Sequence, residues 1–184
     1  SLYGQLFSVY DFLSVAEGGT DCWITPAGNP DYAKQVLYYD GLATNTNATN
    51  KLFGQAYSMI GNCNAVVNRA ELLTDGNEKD ITTLVAEARC LRAFYYSILV
   101  NTYGNVTLTL EESSQDPILT PQRNSIEELY TQIIDDLKFA ANNLEDTPYD
   151  NNRARVTKKT ALGLLARVYA QGGGEYGLTV EGVS

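Results

Sequence analysis

The sequence contains no histidine. Without an imidazole, neither a Ser-His nor a Cys-His nucleophile pair can be assembled. Nor can histidine hold zinc, or shuttle protons near neutral pH. Cysteine is scarce. Cys22, Cys63 and Cys90 lie far apart with no C-x-x-C pair, and three cannot form a fully paired internal framework. Positive charge is also in short supply: 13 Lys and Arg stand against 22 Asp and Glu, for a net charge of −9 and a pI near 4.4. That leaves no basic stripe for the counterion release on which nucleic-acid binding draws. No run reaches the roughly 18 apolar residues that suggest a bilayer span. The sequence opens on Ser1-Leu2-Tyr3, as is expected of a mature or trimmed chain.

What is present is polar but uncharged. The 184 residues include 15 Asn, 13 Tyr and 15 Gly, against 19% charged residues. Amide and phenol groups suit neutral, polar ligands. The 44% hydrophobic content and the length fit one domain or one helical array with a sizeable core. Cys63 and Cys90 each sit inside an apolar helical pattern and read as small buried hydrophobes.

Periodicity predicts five helices. The first covers about 2–15, with Leu2, Leu6, Val9 and Leu13 at helical spacing before Gly18-Gly19. An irregular stretch follows from Gly18 to Asn50 and holds Trp23, the only tryptophan; a loop of that length is often functional. The second helix covers about 51–73, and the third, about 80–103, is apolar on nearly every side, as a helix buried between neighbours must be. After it, Thr107–Leu110 reads as a short extended piece. The fourth opens on a capping box, Ser125 with Glu128, and runs to about Leu144. The fifth, from Thr157 to about Gln171, carries Ala161, Leu164, Leu165, Val168 and Tyr169 and is expected to stop at Gly172-Gly173-Gly174. Small residues such as Gly54, Ala88, Ala93, Gly163 and Ala166 are expected at helix contacts. The fold class is therefore all-α, antiparallel hairpins stacked in a tetratricopeptide-like superhelix. Residues 1–171 form the helical domain and 172–184 a tail, the possible start of a further part.

The third helix is also the most specific. Ala86-Glu87-Ala88-Arg89-Cys90-Leu91-Arg92-Ala93-Phe94-Tyr95-Tyr96, followed by Leu99-Val100 and Tyr103-Gly104-Asn105-Val106, resembles the signature block of the SusD/RagB family. Three further blocks follow that family's order: Asn62 to Arg69, Arg123 to Leu137, and Arg153 to Tyr169. Thr107 stands where the family usually has proline, and Cys90 where it has an aromatic residue. The resemblance implies the amino-terminal helical portion of a surface lipoprotein of the Bacteroidetes. Such a protein binds an oligosaccharide with no cofactor needed, calcium on the acidic surface being conceivable, and delivers it to a SusC-like TonB-dependent porin. It implies attachment to the outer membrane through an N-terminal lipid anchor lying outside this sequence. It also marks Glu87, Arg89, Arg92, Tyr96 and Gly104 as structural signature positions.

Three groups of residues bear on function. Glu87, Arg89 and Arg92 are the only charges between Leu84 and Val100 and are expected to pair with neighbouring helices, because an unpartnered buried charge is costly. The doublets Glu111-Glu112, Glu127-Glu128 and Asp135-Asp136 do not make a glycosidase. Adjacent helical residues diverge by about 100°, whereas that chemistry needs two carboxylates converging on one pocket; solvated, helix-supporting carboxylates are expected. The irregular stretch offers rings for stacking and polar groups for hydroxyls. Trp23, Tyr38 and Tyr39, with Asp21, Asn29, Asp40 and Asn45, are the candidate ligand-binding residues. The reading is capture without catalysis. The alternative is a helical-repeat module that binds a peptide or a transporter subunit and no sugar.

Overall fold

A computed structural model describes residues 16, 20, 35, 38, 39, 47–70, 72–74, 76–112 and 120–179. The first predicted helix falls outside these residues. The chain divides into two compact units, Ser1–Ser58 and Met59–Ser184. Four α-helices are described: α1 (Asn47–Ala70), α2 (Glu78–Tyr103), α3 (Ile126–Asn143) and α4 (Lys158–Glu175), with a short 3-10 turn at Tyr149–Asn151. Among the described residues there is no strand, and the fold is the expected all-α, tetratricopeptide-like stack.

In the first unit, Leu52 and Ala56 are fully buried, and the rings of Phe53 and Tyr57 lie 4.8 Å apart one helical turn from each other. In the second unit, α2 packs chiefly on α3 and α3 on α4, with little contact between α2 and α4. The core follows that order. Ala86, Cys90, Ala93, Tyr96 and Val100 of α2 are fully buried, as are Leu129, Ile133, Leu137 and Ala140 of α3. Cys63 and Cys90 are buried free thiols, as expected.

Helix ends follow from local chemistry. Asn77 caps α2 by accepting the Lys79 N–H at 3.1 Å, and Glu78 and Asp80 sit where the helix dipole favours anions. Gly104 ends α2 at φ +69°, a conformation glycine adopts without steric cost, and its N–H returns to the Val100 carbonyl. The predicted capping box opens α3. The Ser125 hydroxyl accepts the Glu128 N–H at 3.2 Å, and the Glu128 carboxylate accepts the Ser125 N–H at 2.8 Å. Residues 106–110 belong to no helix or strand.

Three expectations are corrected. Helix α1 begins at Asn47, not Lys51, since Asn and Thr disfavour helix interiors but suit a first turn. Helix α4 passes through Gly172-Gly173-Gly174 to Glu175. Gly172 is buried against Tyr130: a Cβ there would meet Cδ1 of that ring at 3.1 Å. The Gly172 carbonyl also accepts the Leu178 N–H at 3.0 Å, and Tyr176 places its ring 5.4 Å from that of Tyr130. Tertiary packing here outweighs a propensity cost of about 1 kcal/mol per glycine. Last, Gly54, Gly163 and Ala166 are exposed, and a Cβ on either glycine would meet nothing within 4 Å. Only Ala88 and Ala93 of that set lie in the core.

Candidate functional site

The charges of α2 find their partners on other elements. Asp136 of α3 has no exposed surface, and Arg92 only 4%. The Arg92 guanidinium grips that carboxylate with two hydrogen bonds, Nε to Oδ2 at 2.7 Å and Nη2 to Oδ1 at 2.8 Å. Arg89 Nε donates to Oδ1 at 2.7 Å and Gln132 Nε2 to the same oxygen at 3.1 Å. Arg89 also lies 4.3 Å over the Phe139 ring. One anion thus faces two cations, Arg92 deeply buried and Arg89 partly in solvent. Burial pulls the Arg92 pKa down, but the Asp136 hydrogen bonds and charge outweigh it, leaving that guanidinium above its ordinary value.

The cluster extends into the segment after α2. Arg92 Nη1 donates to Asn64 Oδ1 at 2.9 Å, and Asn64 Nδ2 donates to the carbonyls of Thr109 and Glu111 at 3.0 and 3.1 Å. The Tyr96 hydroxyl both donates to the Thr109 carbonyl at 3.0 Å and accepts the Thr109 N–H at 2.8 Å. Asn124 Oδ1 accepts the Leu108 N–H at 2.8 Å. This strap, which pairs with no strand among the described residues, therefore has the Leu108 and Thr109 N–H groups and the Thr109 and Glu111 carbonyls bonded by side chains, in place of a ladder.

Glu87 is partnered as well. Arg155, ahead of α4, donates through Nε and Nη2 to its carboxylate, with Nε 2.9 Å from each oxygen, and stacks 4.8 Å over the Tyr149 ring. Glu87, Arg89, Arg92 and Tyr96 thus hold helices and strap together, and no two carboxylates in this cluster face one another as a hydrolase needs.

One reading of the carboxylates fails. Asp136 is not a solvated, helix-supporting residue but the hub of the buried cluster, whereas its neighbour Asp135 is exposed as expected. The signal was in the spacing: Asp136 is three residues after Ile133 and four before Ala140, on the apolar stripe of α3. Glu111 and Glu112 lie at the strap's end, bonded to Asn68 and to Arg69 respectively. The Arg69 hydrogen bonds hold the Glu112 carboxyl below its ordinary value.

Of the candidate ligand-binding residues, Trp23, Asp21, Asn29, Asp40 and Asn45 lie outside the described residues. Tyr38 and Tyr39 are described, and they are 60% and 67% exposed. Tyr39 has φ +54°, a left-handed backbone rare for a bulky residue and often found where function holds strain in place. Two adjacent phenols with open faces offer what a sugar ring stacks on, and their hydroxyls can bond to its own.

The chain is similar to known proteins in sequence and in fold. A family described as "Starch-binding associating with outer membrane" matches residues 27–170. A SusD-like protein of Bacteroides ovatus is 34% identical over 117 residues, covering 61% of this chain and 20% of its own length. The chain therefore spans about a fifth of that curated relative. Among solved structures, a laminarin-binding SusD-like protein superposes with a TM-score of 0.72 at 26% identity, over 80% of this chain and 32% of the other. A crystal structure with xylogluco-oligosaccharide gives 0.72 at 25% identity, over 88% and 31%.

Proposed function

The chain belongs to the SusD-like family, and from that premise we propose that it serves to capture oligosaccharides at the bacterial outer-membrane surface without transforming them. Residues 1–171 act as the helical domain of such a protein, held at the membrane through an N-terminal lipid anchor. The captured glycan passes to a SusC-like TonB-dependent transporter. The single observation that carries the site is the exposed Tyr38–Tyr39 pair, with Tyr39 in a left-handed backbone, inside the 18–50 stretch that also holds Trp23, Asn29 and Asn45. Trp23, Tyr38 and Tyr39 serve as stacking surfaces, and Asp21, Asn29, Asp40 and Asn45 as hydrogen-bond partners. The buried Arg92–Asp136 cluster supports this reading, since it commits Arg89, Arg92 and Asp136 to scaffold.

The test is isothermal titration of the full-length protein against laminarin, xyloglucan and starch oligosaccharides. Saturable binding to one of them is expected, with Trp23→Ala and Tyr39→Ala each weakening it about tenfold, equivalent to roughly 1.4 kcal/mol. Silence across the set would overturn glycan capture. Recovery of a transporter subunit by the same silent protein would instead favour the interaction-module reading.

A further inference from the structure

The second unit carries a concave surface of its own. The first turns of α2 and the connection between α3 and α4 enclose a groove of about 380 Å³, in the lower part of the ~300–1,000 Å³ range of small-molecule sites. Tyr149 forms one wall and is 38% exposed. Its ring is positioned before any ligand arrives, because Arg155 stacks 4.8 Å over it and is itself locked onto Glu87. The next two residues, Asp150 and Asn151, have φ +55° and +54°. Two successive left-handed non-glycine residues carry a local conformational cost. They place a carboxylate and an amide in the lining beside Asp80 and Thr83.

The lining chemistry selects a ligand class. Glu87 is matched by Arg155, and Glu145 by Lys79 at 3.1 Å, so the charge left over is negative and disfavours anions. Among the described residues no three acidic groups converge as a metal ion would require. Carboxylates, an amide and a hydroxyl around an aromatic ring are instead the complement of a molecule with many hydroxyl donors and an apolar C–H face.

We propose that this groove is a second saccharide-binding site, separate from the 18–50 stretch, taking one or two rings of an uncharged glycan through Tyr149, Asp80 and Asn151. The ligand class rests on the proposed function, but the location does not. Even weak binding in this groove helps to retain a long polymer by adding to the main site's hold.

The test is a residue-resolved NMR titration of the whole chain with laminaritriose, cellotriose and maltotriose, and with calcium chloride in parallel. At least one trisaccharide is expected to shift the amides of 79–83 and 147–151 saturably. Tyr149→Ala should abolish those shifts, while Trp23→Ala leaves them in place. Asn151→Gly retains the left-handed backbone and removes only the amide; it should weaken binding severalfold and decides the matter if Tyr149→Ala does not fold. No shift with any trisaccharide, shifts that survive both groove variants, or the same shifts from calcium alone would overturn the proposal. Loss of binding in the 18–50 stretch alone would count against the proposed main site and leave this groove standing.

Discussion

Removing Asp136 is the sharpest way to perturb this molecule. Its carboxylate has no exposed surface and accepts four hydrogen bonds, three of them from guanidinium groups. In Asp136→Ala, Arg92 retains only its bond to Asn64, and at 4% exposure it cannot turn to water. Arg89, whose side chain is 22% exposed, can. One buried cation is therefore stranded, which costs about 3–5 kcal/mol. Arg92→Ala should cost less, near 3 kcal/mol, because Asp136 keeps Arg89 and Gln132. Arg89→Ala should cost least, about 1 kcal/mol, as a partly solvated pair does. Set against a typical total of ~5–15 kcal/mol, the first loss is large. With a urea slope of about 2 kcal/mol/M, it lowers the unfolding midpoint by roughly 2 M. Replacing both partners by apolar residues, Arg92→Met with Asp136→Leu, leaves neither charge orphaned and should lose less than Asp136→Ala alone. Urea unfolding followed by circular dichroism measures all four. An Asp136→Ala loss below about 1 kcal/mol, or a reversed order of the three single variants, would refute the hub assignment.

Three further outcomes are expected. Ser125→Ala removes one half of the capping box and should cost about 1 kcal/mol in the same unfolding assay. Because the Ser125 backbone N–H, kept in that variant, holds the Glu128 carboxyl below its ordinary value, the carboxylate's half of the box is present above the usual carboxylate range and fades as pH falls through it, so Glu128→Ala and the parent should converge in acid. Burial pushes the Cys63 thiol up to about 11 and the Cys90 thiol to about 12. A raised pKa gives stability that is whole below the ordinary thiol value of 9.0 and is lost as pH climbs towards the folded values. The urea midpoint should therefore drop between pH 8.5 and pH 11, and drop less in Cys63→Ala/Cys90→Ala; equal drops would contradict the burial argument. Gly163→Ala, on an open helical face, should stabilise by about 1 kcal/mol. Gly172→Ala should fail to match it because its Cβ meets the buried Tyr130 ring. Thermal melts of the pair give the difference directly.

The elements were legible in the sequence wherever one local rule decided them. Ser125 and Glu128 announce a helix start whatever surrounds them, because the box closes within four residues. Gly104 marks the end of α2 for the same reason. The all-round apolar pattern of α2 required a largely buried helix, and the three charges at Glu87, Arg89 and Arg92 required partners, since a stranded buried charge is too costly to keep. The partners themselves were another matter. Asp136 and Arg155 lie 44 and 68 residues from the groups they meet, and although the apolar stripe of α3 turns Asp136 inward, nothing local names the cations it meets there. The continuation of α4 through three glycines is of the same kind. Propensity argues for a stop, and only the Tyr130 ring lying against Gly172, with Leu178 bonded back onto it, explains the extra turn. The groove at Tyr149 likewise depends on Arg155 crossing from before α4 to Glu87 on α2. Composition and periodicity thus determined the class of fold and excluded histidine chemistry. Which charges are buried, which glycine is packed and where an aromatic wall stands were decided by contacts between distant residues, whose energies depend on geometry that exists only once the chain has folded.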